Sequence, residues 1–139
     1  MEETVRLRFP AKAEYLILAR LALAGIAHTT RIDEDVLADL KLAVTEACGN
    51  AVRHAYDRDD GAVRAVFDVT DAEITIRVED DGAGLPDAPA EAEWPSVEDL
   101  EDGGMGLAII RAVTDELDVE RGYDGRGTVL RMRKALIGS

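Results

Sequence analysis

Four short stretches hold the residues with chemistry to offer. Glu46 and Asn50 stand four apart, and on a helix that spacing puts both on one face. A carboxylate there can act as a general base, and an amide oxygen can ligate a hard cation. Arg53 and His54 follow one turn later and can face the same cleft. Asp80-Asp81-Gly82-Ala83-Gly84 closes an alternating run. Its glycines let a ligand approach the backbone or let the chain take positive φ, and an aspartate at a strand end can accept from an exocyclic amine. Gly103-Gly104-Met105-Gly106 opens a helical pattern, whose free N–H groups and positive dipole end attract anions. Gly127-Thr128 begins the last strand pattern. Taken singly, each stretch has an ordinary alternative: solvated polar residues, a capping histidine, a turn, a hinge, a hairpin residue. No Gly-Lys-Ser or Gly-Lys-Thr follows the glycine-rich helix start, so it is not a P-loop. Nor does it follow the strand, Gly-x-Gly-x-x-Gly, helix order of a dinucleotide fold.

The elements that must position these residues follow from periodicity. Thr4–Phe9 alternates Val5, Leu7 and Phe9 with Arg6 and Arg8, a half-buried strand ended by Pro10. Ala13–Ala27 reads as a helix with apolar residues almost all round its axis. One apolar stripe suffices at a domain's edge, so the excess predicts either a second burial surface, such as a dimer contact, or a wholly buried helix. A second helix starts near Asp33 and runs to about Tyr56, with Val36, Leu40, Val44, Ala47, Ala51 and Ala55 as its core stripe. Ala62–Val69 and Glu73–Asp80 form a hairpin through Thr70–Ala72, with one face covered and the other wet. A third helix spans Gly104–Leu117, with Leu107, Ile110, Val113 and Leu117 on one face. Val119–Tyr123 and Gly127–Arg133 form a final hairpin around Asp124-Gly125. The expected fold is α/β: a two-layer sandwich with a mostly antiparallel sheet covered on one face by about three helices.

Composition narrows the function classes. The chain has 139 residues, enough for one domain spanning residues 1–139. Its net charge of −13 repels nucleic acid, so direct DNA or RNA binding is not expected. The same charge repels nucleotides at long range, so a nucleotide site must work locally, through Mg²⁺, backbone N–H groups and a helix N-terminus. From Glu79 to Asp102 there are ten acids and no Lys or Arg. Such a segment cannot bury itself well, and a mobile acidic lid is expected at about 85–103. Cys48, the only cysteine, can form no internal disulfide and reads as a small core residue. The first residues do not resemble a signal peptide and no apolar run is long enough to span a bilayer, so the expected location is cytoplasmic, away from membranes.

Together, the four stretches in this order resemble the GHKL ATPase superfamily, the Bergerat-type ATP-binding fold, over nearly the whole chain. The closest form is the bacterial anti-sigma factor serine-protein kinases of the sporulation and stress-response type. The stretch Thr45-Glu46-Ala47-Cys48-Gly49-Asn50-Ala51-Val52-Arg53-His54-Ala55-Tyr56 and the helix start Gly104-Met105-Gly106-Leu107 carry that likeness. The resemblance implies ATP and Mg²⁺ as cofactors. Glu46 would deprotonate the serine hydroxyl of a protein substrate, and Asn50 would bind the metal. Asp80 would accept from the adenine amino group, Gly82 and Gly84 would make room for the nucleotide, and Gly104 and Gly106 would let the lid hinge. Met105, Leu107, Arg53 and His54 would complete the nucleotide site, with Thr128 supporting the adenine end. It also implies a homodimer that binds a sigma factor and phosphorylates an anti-anti-sigma antagonist on serine or threonine, with Arg20 as a partner contact. In one respect the sequence departs from the family: relatives commonly place an Arg or Lys in the lid, whereas this lid is wholly acidic. Two alternatives stay open, an ATP-binding regulatory module with little kinase activity and the detached ATP domain of a histidine kinase.

Overall fold

The computed structural model describes residues 2–55, 61–80, 105–121 and 127–137, and of residues 54, 55, 105 and 121 the backbone alone. Five strands form one sheet: β1 (Glu3–Pro10), β2 (Ala62–Val69), β3 (Glu73–Asp80), β4 (Glu116–Arg121) and β5 (Thr128–Ala135). Their order is β1-β2-β3-β5-β4 and every pairing is antiparallel. Three helices complete the described fold: α1 (Ile17–Thr29), α2 (Glu34–Ala55) and α3 (Met105–Val113).

Alternation decides which face the helices cover. In β3, Ile74, Ile76, Val78 and Asp80 are buried while Glu73, Thr75, Arg77 and Glu79 are only half-buried. The register places Val63, Ala65, Phe67 and Val69 of β2 beside that buried set. These side chains join Val36, Leu40, Ala43, Val44, Ala47, Cys48 and Ala51 of α2 in one core. The other face carries cross-strand ion pairs, Arg64–Glu79 at 3.3 Å and Arg133 with Glu73 at 2.8 Å and Glu116 at 3.1 Å. The expected two-layer α/β sandwich is therefore observed.

Cys48 lies inside the core with no exposed surface, and burial pushes its thiol up to about 12. It is the small core residue expected from the sequence.

α1 rules out one of the two readings of its surplus apolar residues. Ala19, Leu23 and Ile26 are buried, but Ile17 and Leu21 are 56% and 57% exposed, and Tyr15 and Leu18 are exposed beside them. The helix is not wholly buried. Arg20 is exposed on the same helix. The expected helix start at Ala13 is instead a single 3₁₀ turn, Ala13–Tyr15, before α1 proper.

The third helix is shorter than its periodicity predicts. It ends at Val113, and Leu117 lies on β4. Thr114 Oγ1 donates to the Ile110 carbonyl at 2.7 Å. Asp115 then bonds β5 twice: its N–H donates to the Arg133 carbonyl at 2.9 Å and its carboxylate accepts from Ala135 N–H at 2.7 Å. The chain is drawn into the sheet edge, so β4 begins at Glu116 rather than Val119. The expected Asp124-Gly125 turn and the acidic segment at 85–103 lie outside the described residues.

Candidate active site

The start of α2 is fixed by the far end of β5. Asp33 N–H donates to the Leu136 carbonyl at 3.1 Å, and Leu136 N–H donates to the Ala72 carbonyl at 3.0 Å. Lys134, also on β5, reaches Asp39 of α2 at 3.4 Å. The Asp33 carbonyl accepts from Leu37 N–H at 2.8 Å, and Glu34 and Asp35 in the first turn suit the positive end of the helix dipole. Helix α2 and strand β3 thus set out from the same end of the sheet, the Thr70–Ala72 turn.

They arrive together at the other end. From Glu34 to Asn50 the helix rises about 24 Å at ~1.5 Å per residue. From Glu73 to Asp80 the strand rises about 23 Å at ~3.3 Å per residue. The chain then returns from Ala55 to β2, where Val63 pairs with Asp80. Asn50 and Asp80, 30 residues apart in sequence, therefore sit at one level on the helix-covered side. Both are buried, at 6% and 5% exposure, and they are the two buried polar or charged side chains among the described residues.

Gly106 closes this end from above. A Cβ on it would stand 2.9 Å from Glu46 Oε2 and 3.6 Å from both terminal atoms of the Asn50 amide. The start of α3 lies directly against the Glu46–Asn50 face of α2, and glycine is what permits that approach. Glu46 is half-buried there. Arg53 donates from Nη2 to Asn50 Oδ1. Leu107 is half-buried and packs against the core, as does Ile110, which is fully buried.

The Asp80 end is shaped by Gly127, at φ +72°. A side chain at that φ is strained, and a Cβ there would run into the Asp80 carbonyl and lie 3.2 Å from Asp80 Oδ1. Thr128 follows it, half-buried at the start of β5. The sequence offered Gly127, with Thr128, as the start of the last strand, a hairpin residue being its ordinary alternative. Its role is to let β5 start flush against the buried carboxylate, and the glycine preceding a strand after Asp124-Gly125 was the only available signal.

The structure thus brings together Glu46, Asn50, Arg53, Gly106, Leu107, Asp80 and Thr128 at one end of the molecule. His54 and Met105 are there by backbone position. Gly82, Gly84 and Gly104 lie outside the described residues. Arg20, on α1, is on a separate element.

These residues suit a metal-bound nucleotide. Among the described residues no three His, Cys, Asp or Glu side chains cluster as a metal cage. A cation here would need oxygens from its ligand, which is how Mg²⁺ is commonly held: one or two protein groups plus phosphates. The Asn50 amide oxygen is such a group, and the slot above it would be filled by a single Cβ.

The profile described as histidine kinase-like ATPase domain matches residues 9–134. The chain belongs to this family. It is 35% identical over 124 residues to the serine-protein kinase RsbW of Bacillus cereus (strain AH187), covering 84% of this chain and 77% of that protein. The RsbW of Bacillus thuringiensis (strain Al Hakam) is 34% identical over the same length. A crystal structure of the RsbU and RsbW domains of Rv1364c from Mycobacterium tuberculosis superposes with a TM-score of 0.67 over 96% of this chain and 32% of that one. At 20% identity that likeness speaks for the fold alone. The matched sequence relatives place this ATPase domain among the GHKL-type serine-protein kinases. No helix among the described residues is long and apolar enough to cross a membrane.

Proposed function

We propose that this GHKL-type serine-protein kinase binds Mg-ATP between α2 and the start of α3 and phosphorylates an anti-anti-sigma antagonist on serine or threonine. In the cytoplasm it would hold a sigma factor until unphosphorylated antagonist displaces it. The observation that carries this reading is the contact of Gly106 with both Glu46 and Asn50. In this reading it would put a base, a metal ligand and a helix N-terminus around one slot.

Each residue has a distinct task. Asn50 would hold the divalent cation through its amide oxygen, and the cation would supply charge neutralisation at the phosphates. Glu46, one turn earlier and half-buried, accepts the proton of the attacking hydroxyl. The N-terminal N–H groups of α3 face phosphate. Asp80, buried at the end of β3, accepts from the adenine amine, with Thr128 beside it. Phosphoryl transfer rests on such positioning and charge neutralisation more than on covalent help.

Calorimetry and phosphotransfer to the cognate antagonist separate the roles. Glu46→Gln keeps Mg-ATP affinity within about threefold and lowers transfer by ~10²–10⁴. Asn50→Ala loses Mg²⁺-dependent binding itself. Equal loss of nucleotide binding in both variants would sink the division of labour.

The exposed Ile17, Leu18 and Leu21 of α1 are proposed to face a second copy of the chain, with Arg20 beside them contacting the antagonist. Leu21→Asp should shift the protein to a monomer in sedimentation, and an unchanged mass would remove the dimer from this reading. A second reading, a nucleotide-binding regulator without turnover, draws on the run from Glu79 to Asp102, which has no Lys or Arg. Prolonged incubation of wild type with labelled ATP and antagonist, yielding no phosphoserine or phosphothreonine, would favour it.

A further inference from the structure

The contact between Arg53 and Asn50 has a consequence for how metal enters. The oxygen that suits a divalent cation is already taken by a guanidinium: Arg53 Nη2 donates to Asn50 Oδ1. A guanidinium and Mg²⁺ repel one another, so they cannot share that oxygen comfortably. The head of Arg53 lies back along α2: a Cβ on Gly49 would stand 3.8 Å from Arg53 Nη1, in ordinary contact and without displacing it. Arg53 is itself exposed, so its head can leave without unpacking the core.

Charge gives the displaced head a destination. The segment from Glu79 to Asp102 supplies ten acids and no cation, yet a terminal phosphate in transfer calls for positive charge. Resting on the reading of the site as an Mg-ATP site, we infer that Arg53 is a stand-in cation. It holds the Asn50 oxygen oriented while no nucleotide is bound, yields that oxygen to the metal, and turns its planar fork to the terminal phosphate. Arg53 is then a positioning residue in the empty site and a phosphate contact in the filled one.

The test compares wild type with Arg53→Met, which keeps the stem and drops the charge, and Arg53→Lys, which keeps the charge and drops the fork. Nucleotide-free protein labelled with ¹⁵N should show the Asn50 side-chain amide signals shifted in Arg53→Met. Calorimetry with ADP across a Mg²⁺ series should give half-saturation at an at least threefold lower Mg²⁺ concentration in Arg53→Met. The ratio of ATP to ADP affinity should fall about tenfold in Arg53→Met and less in Arg53→Lys. Wild-type protein that binds Mg-ATP, with the amide signals, the Mg²⁺ midpoint and the affinity ratio all unmoved by Arg53→Met, overturns this inference alone. Wild-type protein that binds no adenine nucleotide overturns the underlying site assignment as well. Circular dichroism of each variant confirms that the fold is retained.

Discussion

Glu79 and Asp80 are consecutive carboxylates that the strand pleat sends to opposite faces of one sheet. Glu79 lies in the lattice of ion pairs on the open face, within 3.3 Å of Arg64 and 3.8 Å of Arg77. Asp80 is buried at the end of the helix-covered face, against a glycine with φ +72°. The first arrangement is inexpensive: partly exposed ion pairs contribute about 0–1 kcal/mol each and are screened by salt. The second removes a carboxylate from water and sets a left-handed glycine beside it. The open face serves solubility and strand register, and the covered end holds the carboxylate proposed to meet the nucleotide.

The largest effect should come from the backbone that lets Asp80 be buried. Gly127→Val combines left-handed strain with overlap on the Asp80 carbonyl, together about 2–5 kcal/mol. Urea denaturation should show that loss. A change under ~1 kcal/mol would mean that β5 does not need to start flush against Asp80.

Next comes the carboxylate pair itself. Asp80→Ala should weaken adenine-nucleotide binding by about 1.5–3 kcal/mol, the range for a hydrogen bond to a charged group. Glu79→Ala should leave that affinity unchanged. Equal effects of the two would erase the distinction between the faces.

Gly106→Ala sharpens the contrast in the other direction. The new methyl meets the flexible end of Glu46 at 2.9 Å, so folding can adjust, and alanine favours a helix by up to ~1 kcal/mol. Stability should hold or rise while phosphoryl transfer falls about tenfold, ~1.4 kcal/mol in barrier. A fully active variant would show that Glu46 need not sit where this structure holds it.

The smallest effect belongs to the open face. The hydrogen bond and charge of Arg133 hold the Glu116 carboxyl below its usual 4.5. A folded-state value below the unfolded one contributes stability above the unfolded value and loses it as pH falls through the folded one. The difference in Tm between wild type and Glu116→Gln should therefore be slight at neutral pH, shrink below pH 4.5, and shrink again in high salt. A difference that grows on acidification would reverse the sign assigned here.

Most of the fold was legible because its signals are local. β2 and β3 were bounded to the residue by the alternation of β3 and by the Thr70–Ala72 turn, where Thr70 Oγ1 accepts from Glu73 N–H at 3.1 Å. α2 was bounded within a residue at each end. The end of α3 was not legible, since Leu117 fits both a helical stripe and a strand. The bonds of Asp115 to β5 decide between them, and those are contacts between residues about 20 apart. In the site, Glu46 and Asn50 were legible as a pair from their spacing. Their meeting with Gly106, more than 50 residues later, is purely tertiary. Gly127 was singled out with Thr128, but its close approach to Asp80 was not legible, because that contact has no trace in composition. Arg53 could be placed on the right face, but its grip on Asn50 could not.

Cys48 offers a practical opening. With its acidity displaced to about 12, only ~10⁻⁵ of its sulfur is thiolate at neutral pH, and the core shields it besides. Maleimide dyes and spin labels should ignore the native protein. A single new thiol on the surface of α1 would then take one probe at one place, with no background to engineer away. The self-association and antagonist binding proposed for α1 could then be tested in real time on an otherwise unaltered chain.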